Sequence, residues 1–363
     1  LTIVLIATFT ALLVVATILP WVPWPHGIVR VCDFPRVQIA ALAAILILVT
    51  VLVGPGGTPE LVLVGLQFAV ILVQAANCVR FTPLHPVQSL GHEGSAEDPS
   101  VLRILSANVK MSNRRFGALV ELIRERRPDI AIVMEVDEAW VEALRPLKAE
   151  MPYGIEWPCD NTYGMALLSR LPLVAPELRF LVLDTIPSVR TVVRLRSGEQ
   201  IRLYAVHPEP PVPYEDTIGR DGELVLVAAE VKKDPLPAIV TGDLNDVAWS
   251  RTTRRFQRLT GLLDPRVGRG LFSTFDARFP FLRWPLDHLF HDPQFRVVSV
   301  ERLPHIGSDH FPILFELALH RTKRAGAEPS EADSQDLREA RELASDSAAI
   351  ERKPIGADWE KEG

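Results

Sequence analysis

Three uninterrupted apolar runs, residues 1 to 20, 37 to 54 and 61 to 79, contain no charged side chain. Each is close to the roughly 20 residues that a helix needs to cross about 30 Å of hydrocarbon. None has the one-sided apolar period of a surface helix, and three in succession exceed what a buried core helix explains, so they read as transmembrane helices. A cleaved signal peptide would account for the first run and not for the others. In the first 80 residues the charged side chains are Arg30, Asp33, Arg36, Glu60 and Arg80, against 39 Lys+Arg and 45 Asp+Glu in all 363 residues. The chain is two materials joined end to end, a membrane region over 1 to 80 and a polar remainder.

Between the first two runs, residues 21 to 36 hold Trp21, Trp24, three prolines and two arginines, which suits the headgroup level of a bilayer. Three crossings put this segment and the polar remainder on one side. Arg30, Arg36 and Arg80 favour the cytoplasm for that side, whereas basic residues ahead of Leu1 would favour an extracytoplasmic one. The expectation is a multi-pass protein of the cell membrane, anchored in the bilayer by three helices, with its side left open.

Residues 81 to 100, rich in proline and glycine around a Ser-Ala-Glu-Asp stretch, read as a flexible linker. Residues 321 to 363 are polar and charge-mixed, and read as a disordered or weakly helical tail that buries too little apolar surface to order itself. Cys32, Cys78 and Cys159 neither staple a chain of this size nor show a zinc-ligand spacing. Beyond residue 80 there are 36 basic against 43 acidic side chains, which disfavours tight sequence-independent binding of nucleic acid.

Residues 101 to 320 have the size of one domain. Strand-like runs lie at 101–107, 129–134, 165–169, 190–194, 201–206, 238–241, 286–290, 295–300 and 311–316. Helical patterns cover 114–127 and 137–149, with a weaker one at 217–232. So many strands with so few helices indicate a mixed α/β sandwich rather than a strictly alternating parallel sheet. Polar residues gather at the strand ends. Asn108 and Glu135 follow the first two runs, His207 follows 201–206, Asp243 and Asn245 follow 238–241, and Asp309 and His310 precede the last. A rigid sheet presents catalytic groups at one rim in this way.

The runs Ser106-Ala-Asn108-Val, Val133-Met-Glu135, Gly164-Met-Ala-Leu-Leu-Ser-Arg170, Val206-His207, Thr241-Gly-Asp243-Leu-Asn245, Leu286-Asp287-His288 and Gly307-Ser-Asp309-His310 occur in that order. Any one is weak; together they resemble the endonuclease/exonuclease/phosphatase superfamily, whose type member is DNase I, over about 101 to 318. The resemblance implies a DNase I-like four-layer α/β sandwich, two packed mixed sheets flanked by helices, that hydrolyses a phosphate ester with a divalent metal. Mg²⁺ is the expected cofactor and Mn²⁺ the alternative, since hard cations take carboxylate and water oxygens. On this reading Glu135 is the first metal ligand, Asn108 orients a metal water or phosphate oxygen, and Asp309 stands behind them or serves a second metal. Asp243 and Asn245 orient the attacking water, His207 and His310 contact the phosphate, and Asp287 orients His310. Asn245 and His207 also bind substrate. Either Asp243 or His310 is the base.

The remaining histidines take a structural reading: His288 faces away across the sheet, and His26, His85, His92, His291, His305 and His320 lie in loops or at element edges. Two segments depart from the nucleases. Pro208, Pro210, Pro211 and Pro213 stiffen the loop after His207, and Phe279, Pro280, Phe281, Arg283 and Trp284 precede Asp287; both either shape the leaving-group pocket or merely rigidify and fill. With no basic run to track DNA, the expected activity is a membrane-anchored phosphoesterase acting on a lipid headgroup or small phosphoester. The alternatives are a nuclease and, from another class, an inactive membrane scaffold. The scaffold is disfavoured because every expected polar position is filled. No protein partner is expected.

Overall fold

The structure, a computed structural model, describes residues 2–54 and 56–359. Helices α1 (Thr2–Ile18), α2 (Gly27–Arg30), α3 (Arg36–Val53) and α4 (Thr58–Cys78) form the N-terminal region. With their flanking turns, α1, α3 and α4 are long and apolar enough to cross a membrane, and just 17 to 22% of each apolar window is buried inside the protein. Where the helices meet, Ile39, Ala43 and Val70 pack together. Buried amides bridge them as well: Gln67 Nε2 donates to Thr10 Oγ1 (2.9 Å) and Thr50 Oγ1 (3.2 Å), and Gln74 Nε2 to Thr17 Oγ1 (2.8 Å). Such bonds hold helices together where apolar contact has no advantage over lipid.

The polar remainder opens with β1 (Val101–Asn108), α5 (Phe116–Arg126), β2 (Ile130–Met134), α6 (Glu138–Leu144), β3 (Tyr153–Trp157) and β4 (Met165–Ser169). Next come β5 (Leu173–Phe180), β6 (Pro187–Arg194), β7 (Gln200–Ala205), α7 (Ile218–Lys233), β8 (Ala238–Asp243) and α8 (Arg251–Thr260). The chain closes with β9 (Asp287–His291), β10 (Phe295–Arg302), β11 (Ile313–Leu319) and α9 (Ser334–Ser347). Among the described residues the strands form two mixed sheets, ordered β10-β11-β1-β2-β4-β3 and β5-β6-β7-β8-β9. Alternation along each strand sends one set of side chains inward and the next outward. Ile104, Ile132, Leu203 and Ile239 meet between the sheets. Leu105 and Ala131 pack outward on Leu119 of α5 and Trp140 of α6, and Val240 packs outward on Val227 of α7 and Phe256 of α8. These are the four layers expected: helices, sheet, sheet, helices.

Strands β3 and β5 escape the sequence reading because both lie at sheet edges and are half exposed, so no buried alternation marks them. The helix expected over 137–149 is capped by the Asp137 side chain and gives way after Leu144 to a tighter 3₁₀ turn, Arg145–Ala149, where Pro146 removes a donor.

Each sheet has one parallel pair, β1 with β2 and β7 with β8. Parallel strands end on the same rim, so Asn108 and Glu135 arrive together in one sheet, and His207 and Asp243 in the other. Strand β9 then runs antiparallel to β8 with Asp287 opposite Asp243.

Two segments expected to stand free lie against the domain. The 81–100 segment runs along it: Phe81 is buried with Val247, Trp249 and Leu286. Gln88 Oε1 accepts from the Asp264 backbone N–H (2.8 Å), and residues 90 to 92 exchange backbone bonds with Val297. The tail, described as far as residue 359, packs on the domain as well. Helix α9 begins with a capping box, Asp333 with Asp336, and buries Ala340 and Leu343 against Val225 of α7. Arg258 holds Asp336 through two bonds of 2.6 Å, and Arg251 and Arg255 hold Glu339. Neither segment could order itself; each does so on partners distant in sequence, which local composition does not register.

The N-terminal region docks on the domain. The Gly27 N–H donates to Glu215 O and the Thr217 N–H to Pro25 O, each at 2.8 Å, while Trp249 Nε1 donates to Asp33 O (2.7 Å). A Cβ at Gly27 would lie 1.6 Å from Val212 O, so this approach requires glycine.

Candidate active site

The rim where β1, β2, β7 and β8 end carries every site residue expected from the sequence, and these residues line one cavity of about 820 Å³, with Asp287 behind His310. Asn108 is buried and central. Its Nδ2 donates to Glu135 Oε1 (2.7 Å) and to Asp243 Oδ2 (3.1 Å), tying the two sheets together, while its Oδ1 accepts from the Lys110 N–H (3.0 Å). Glu135 leaves β2 with φ +62, a left-handed turn held by the Met111 N–H donating to its Oε2 (3.3 Å). At Gly242 φ is +141 and a Cβ would stand 1.9 Å from Val206 O. The glycine of Thr241-Gly-Asp243 thus lets β8 bring Asp243 beside His207.

Asp243 is the hub. Its Oδ2 lies 3.4 Å from His310 Nε2 and 3.9 Å from His207 Nε2, and its Oδ1 accepts from the Asn245 N–H (2.9 Å). The Asn245 amide donates to Pro208 O (2.9 Å), fixing the proline-rich loop against the site. His310 Nδ1 bonds Asp287 Oδ2 (2.9 Å), the orienting contact expected. Ser308 secures the approach to His310: its hydroxyl donates to Asn108 O (2.8 Å) and accepts from the His310 N–H (3.0 Å). Asp309 stands apart from this cluster in one respect, its Oδ2 being 3.2 Å from Lys110 Nζ and 3.8 Å from Arg278 Nη2.

The electrostatics follow from burial and from these neighbours. Burial alone would lower His310, but Asp243 and Asp287 outweigh it and push the imidazole up to about 10. His207 is brought down to about 4 by burial, against the pull of Asp243, and is neutral at pH 7. Its Nδ1 is buried without a hydrogen-bond partner among the described residues. Burial, reinforced by Asp309 and Asp243 and opposed by the Asn108 bond, raises Glu135 to about 7. Burial would raise Asp243 too, yet His310 and His207 bring it below the usual carboxylate range. One rim therefore holds a cationic imidazole, a neutral imidazole and an ionised acid side by side. His288, by contrast, bonds Arg266 Nη2 (2.7 Å) and Asp246 O (2.8 Å) outside the cavity.

A metal fits this donor set. Glu135 is a half-buried carboxylate among carboxylates, with an amide and acids within reach, the oxygen-rich environment that hard divalent cations take. Ligand atoms of Asp243, Asp287 and His310 also lie within 4.8 Å of one another. In that set both ring nitrogens of His310 already face carboxylates.

Several lining residues went unread in the sequence. Lys110 was within reach, two positions beyond Asn108. Arg278, Tyr163 and the tail residues Ile355 and Trp359 carried no local signal, nor did Val31, Phe34 and Pro35 of the segment before α3. Tyr163 donates its hydroxyl to Ile355 O, and Arg352 grips Glu209 through Nη1 and Nη2, holding the tail across the site. Of the two segments that depart from the nucleases, Pro210, Pro211 and Trp284 line the cavity, whereas Phe279 and Phe281 are exposed.

The model of the Endonuclease/Exonuclease/phosphatase family matches residues 105–310. The chain belongs to this family. Solved structures agree on the family fold. A Bacteroides vulgatus endonuclease/exonuclease/phosphatase is 20% identical with a TM-score of 0.50, covering 61% of this chain and 99% of that one. The human Nocturnin catalytic domain with bound sulfate is 18% identical, TM-score 0.50, over 60% and 93%. TDP2 of D. rerio, complexed with single-strand DNA product, is 18% identical, TM-score 0.50, over 60% and 99%. A search of curated proteins finds no match. The N-terminal helices lie outside the family region. Family and fold together make the chain a phosphoester hydrolase in the general sense, with a site able to hold a divalent metal.

Proposed function

We propose that the protein is a membrane-anchored, Mg²⁺-dependent phosphoesterase that cleaves a lipid headgroup or small phosphoester by attack of water, with Mn²⁺ as the alternative metal. One observation carries the reading: Glu135, Asp243 and His310, far apart in sequence, face a single cavity together with Asn108, His207 and Asn245. On this reading α1, α3 and α4 span the cell membrane.

The roles follow from the charge states. Asp243, ionised and held by the Asn245 N–H, accepts a proton from the attacking water. His310, kept cationic by Asp243 and Asp287, is the wrong species for a base; it donates a hydrogen bond to the phosphate and a proton to the departing alkoxide. The assignment that the sequence left open between the two thus goes to Asp243. Water oxygen bonds to phosphorus, the ester oxygen leaves, and it takes its proton from His310. Neutral His207 and the Asn245 side hold a non-bridging oxygen, and Lys110 and Arg278 add positive charge at the mouth. Glu135 with Asn108 would hold the divalent ion, Asp309 standing behind; when bound, the ion neutralises phosphate charge and polarises the P–O bond.

The walls favour a small headgroup over a polymer, because Val31 to Pro35 on the membrane side and Ile355 to Trp359 of the tail enclose the rim as a pocket. The test is release of p-nitrophenol from bis-p-nitrophenyl phosphate by the full chain in detergent, with Mg²⁺, Mn²⁺ or EDTA. Metal-dependent release abolished by His310→Ala supports the enzyme. No release with any metal supports an inactive scaffold, and faster cleavage of DNA than of lipid phosphoesters supports a nuclease.

A further inference from the structure

We infer that the substrate is a long-chain lipid phosphoester that reaches the site sideways from the bilayer, between the start of α3 and the loop 279–284, which itself rests in the membrane surface. This deepens the phosphoesterase reading and rests on it.

Val31, Phe34 and Pro35 immediately precede α3, and they line the same cavity as Glu135 and His310. The reacting groups therefore share one space with the residues that lead directly into α3. The loop 279–284 is pinned at that level: Gln38, in the first turn of α3, donates its Nε2 to Phe281 O at 2.8 Å. At about 1.5 Å per residue this bond lies roughly 3 Å beyond the start of the helix. The loop turns its apolar side chains outward, Phe281 being 86% exposed, Phe279 52% and Leu282 45%. Three large apolar groups together on a loop are a liability in water and an anchor at the headgroup level. Trp21 and Trp24, both more than half exposed, lie in the segment that joins α1 to α3 at the same end.

The cavity is graded in the same sense. Lys110 and Arg278 accompany the acids and imidazoles, while Phe34, Pro35, Leu282 and Trp284 give an apolar wall. Trp284 Nε1 is a buried donor without a partner among the described residues. A lipid phosphoester has this polarity along its length, a phosphate at one end and hydrocarbon at the other. A water-soluble phosphoester would leave the apolar wall unused. Continuity of this wall with α3 selects lipid as the occupant over a second copy of the chain.

The experiment uses the full chain in nanodiscs. Phe281→p-benzoylphenylalanine is irradiated in dioleoyl phosphatidylglycerol discs and analysed by mass spectrometry, with the same group at Tyr153 of edge strand β3 as control. In parallel, wild-type turnover with Mg²⁺ is compared for dioleoyl and dibutanoyl forms of phosphatidylglycerol and phosphatidic acid. The expected result is a lipid adduct at position 281 and none at 153, with the long-chain form of one headgroup hydrolysed at least tenfold more efficiently. Absence of a lipid adduct, or a cross-link between two protein chains, would overturn the membrane contact. Equal turnover of short and long chains would overturn the lateral route while leaving the phosphoesterase reading intact. A lipid adduct without hydrolysis of any phosphoester would overturn the enzymatic reading and the lipid substrate with it.

Discussion

Asp287→Asn isolates the electrostatic heart of the site, since it removes a charge 2.9 Å from His310 Nδ1 while keeping a group of the same shape. His310 stands at about 10 against an ordinary 6.5, a rise of about 3.5 units or roughly 5 kcal/mol, at 1.36 kcal/mol per unit. Asp243 and Asp287 are its chief sources. Because burial opposes them, the two acids together outweigh that net rise, and losing the Asp287 charge should bring His310 down from about 10 toward its ordinary value. The sign is that of a raised base: this stabilisation is complete below about pH 6.5 and disappears as pH rises through the folded value. Activity that needs the imidazolium should thus fall near pH 10 in the wild type and at a clearly lower pH in the variant. Even at pH 7 the variant should lose about 10²- to 10⁴-fold, because a neutral amide holds and orients the imidazolium less firmly than a carboxylate does. The assay is kcat/KM for bis-p-nitrophenyl phosphate between pH 6 and 10.5 with saturating Mg²⁺. An alkaline limb that stays in place, or full activity at pH 7, would refute the role of His310 as the charged proton donor.

Glu135→Gln should move stability and metal binding in opposite directions. Glu135 is raised to about 7, so its ionised form is unfavourable in the metal-free fold above that pH; at pH 8 the variant should melt higher than wild type without metal yet lose at least about tenfold in Mn²⁺ affinity by calorimetry. Arg352→Met leaves the Glu209 carboxylate, 2% exposed, without its partner; allowing for the 24% exposure of Arg352, about 2 kcal/mol of stability should go, with faster proteolysis after residue 347. Unchanged melting and cleavage would mean that the tail does not depend on this pair. Asp221 is held down at about 2 because Arg220, Arg30 and Arg255 outweigh its burial. Its contribution, on the order of 2 kcal/mol, is present above roughly pH 4 and lost as pH falls toward 2, so Asp221→Asn should flatten acid unfolding over that window, followed by circular dichroism.

The candidate site was largely legible because its residues stand at strand ends, where buried apolar runs stop at a polar side chain. Ile130–Met134 running into Glu135, and Ala238–Asp243 with Asn245 close behind, announce themselves in this way. What could not be read was pairing. Lys110 and Arg278 meet over Asp309 from segments about 170 residues apart, and nothing near Arg278 points to Asp309. The tail misled for the same reason. Its helix has few apolar side chains, and the arginines that hold it belong to α8.

Hydrophobic segregation and periodicity are properties of neighbours along the chain; they determined the three apolar helices and the sandwich class, and the ordered motifs with their family resemblance singled out the acids and imidazoles. Charge state, ring orientation and the walls of the pocket depend on groups brought within a few ångströms by folding. Only the tertiary structure made His310 cationic and His207 neutral, strapped the tail across the rim, and set the candidate site beside the segment that leads into α3. Coulomb interactions and desolvation act through space, and distance in space is what a linear sequence does not record.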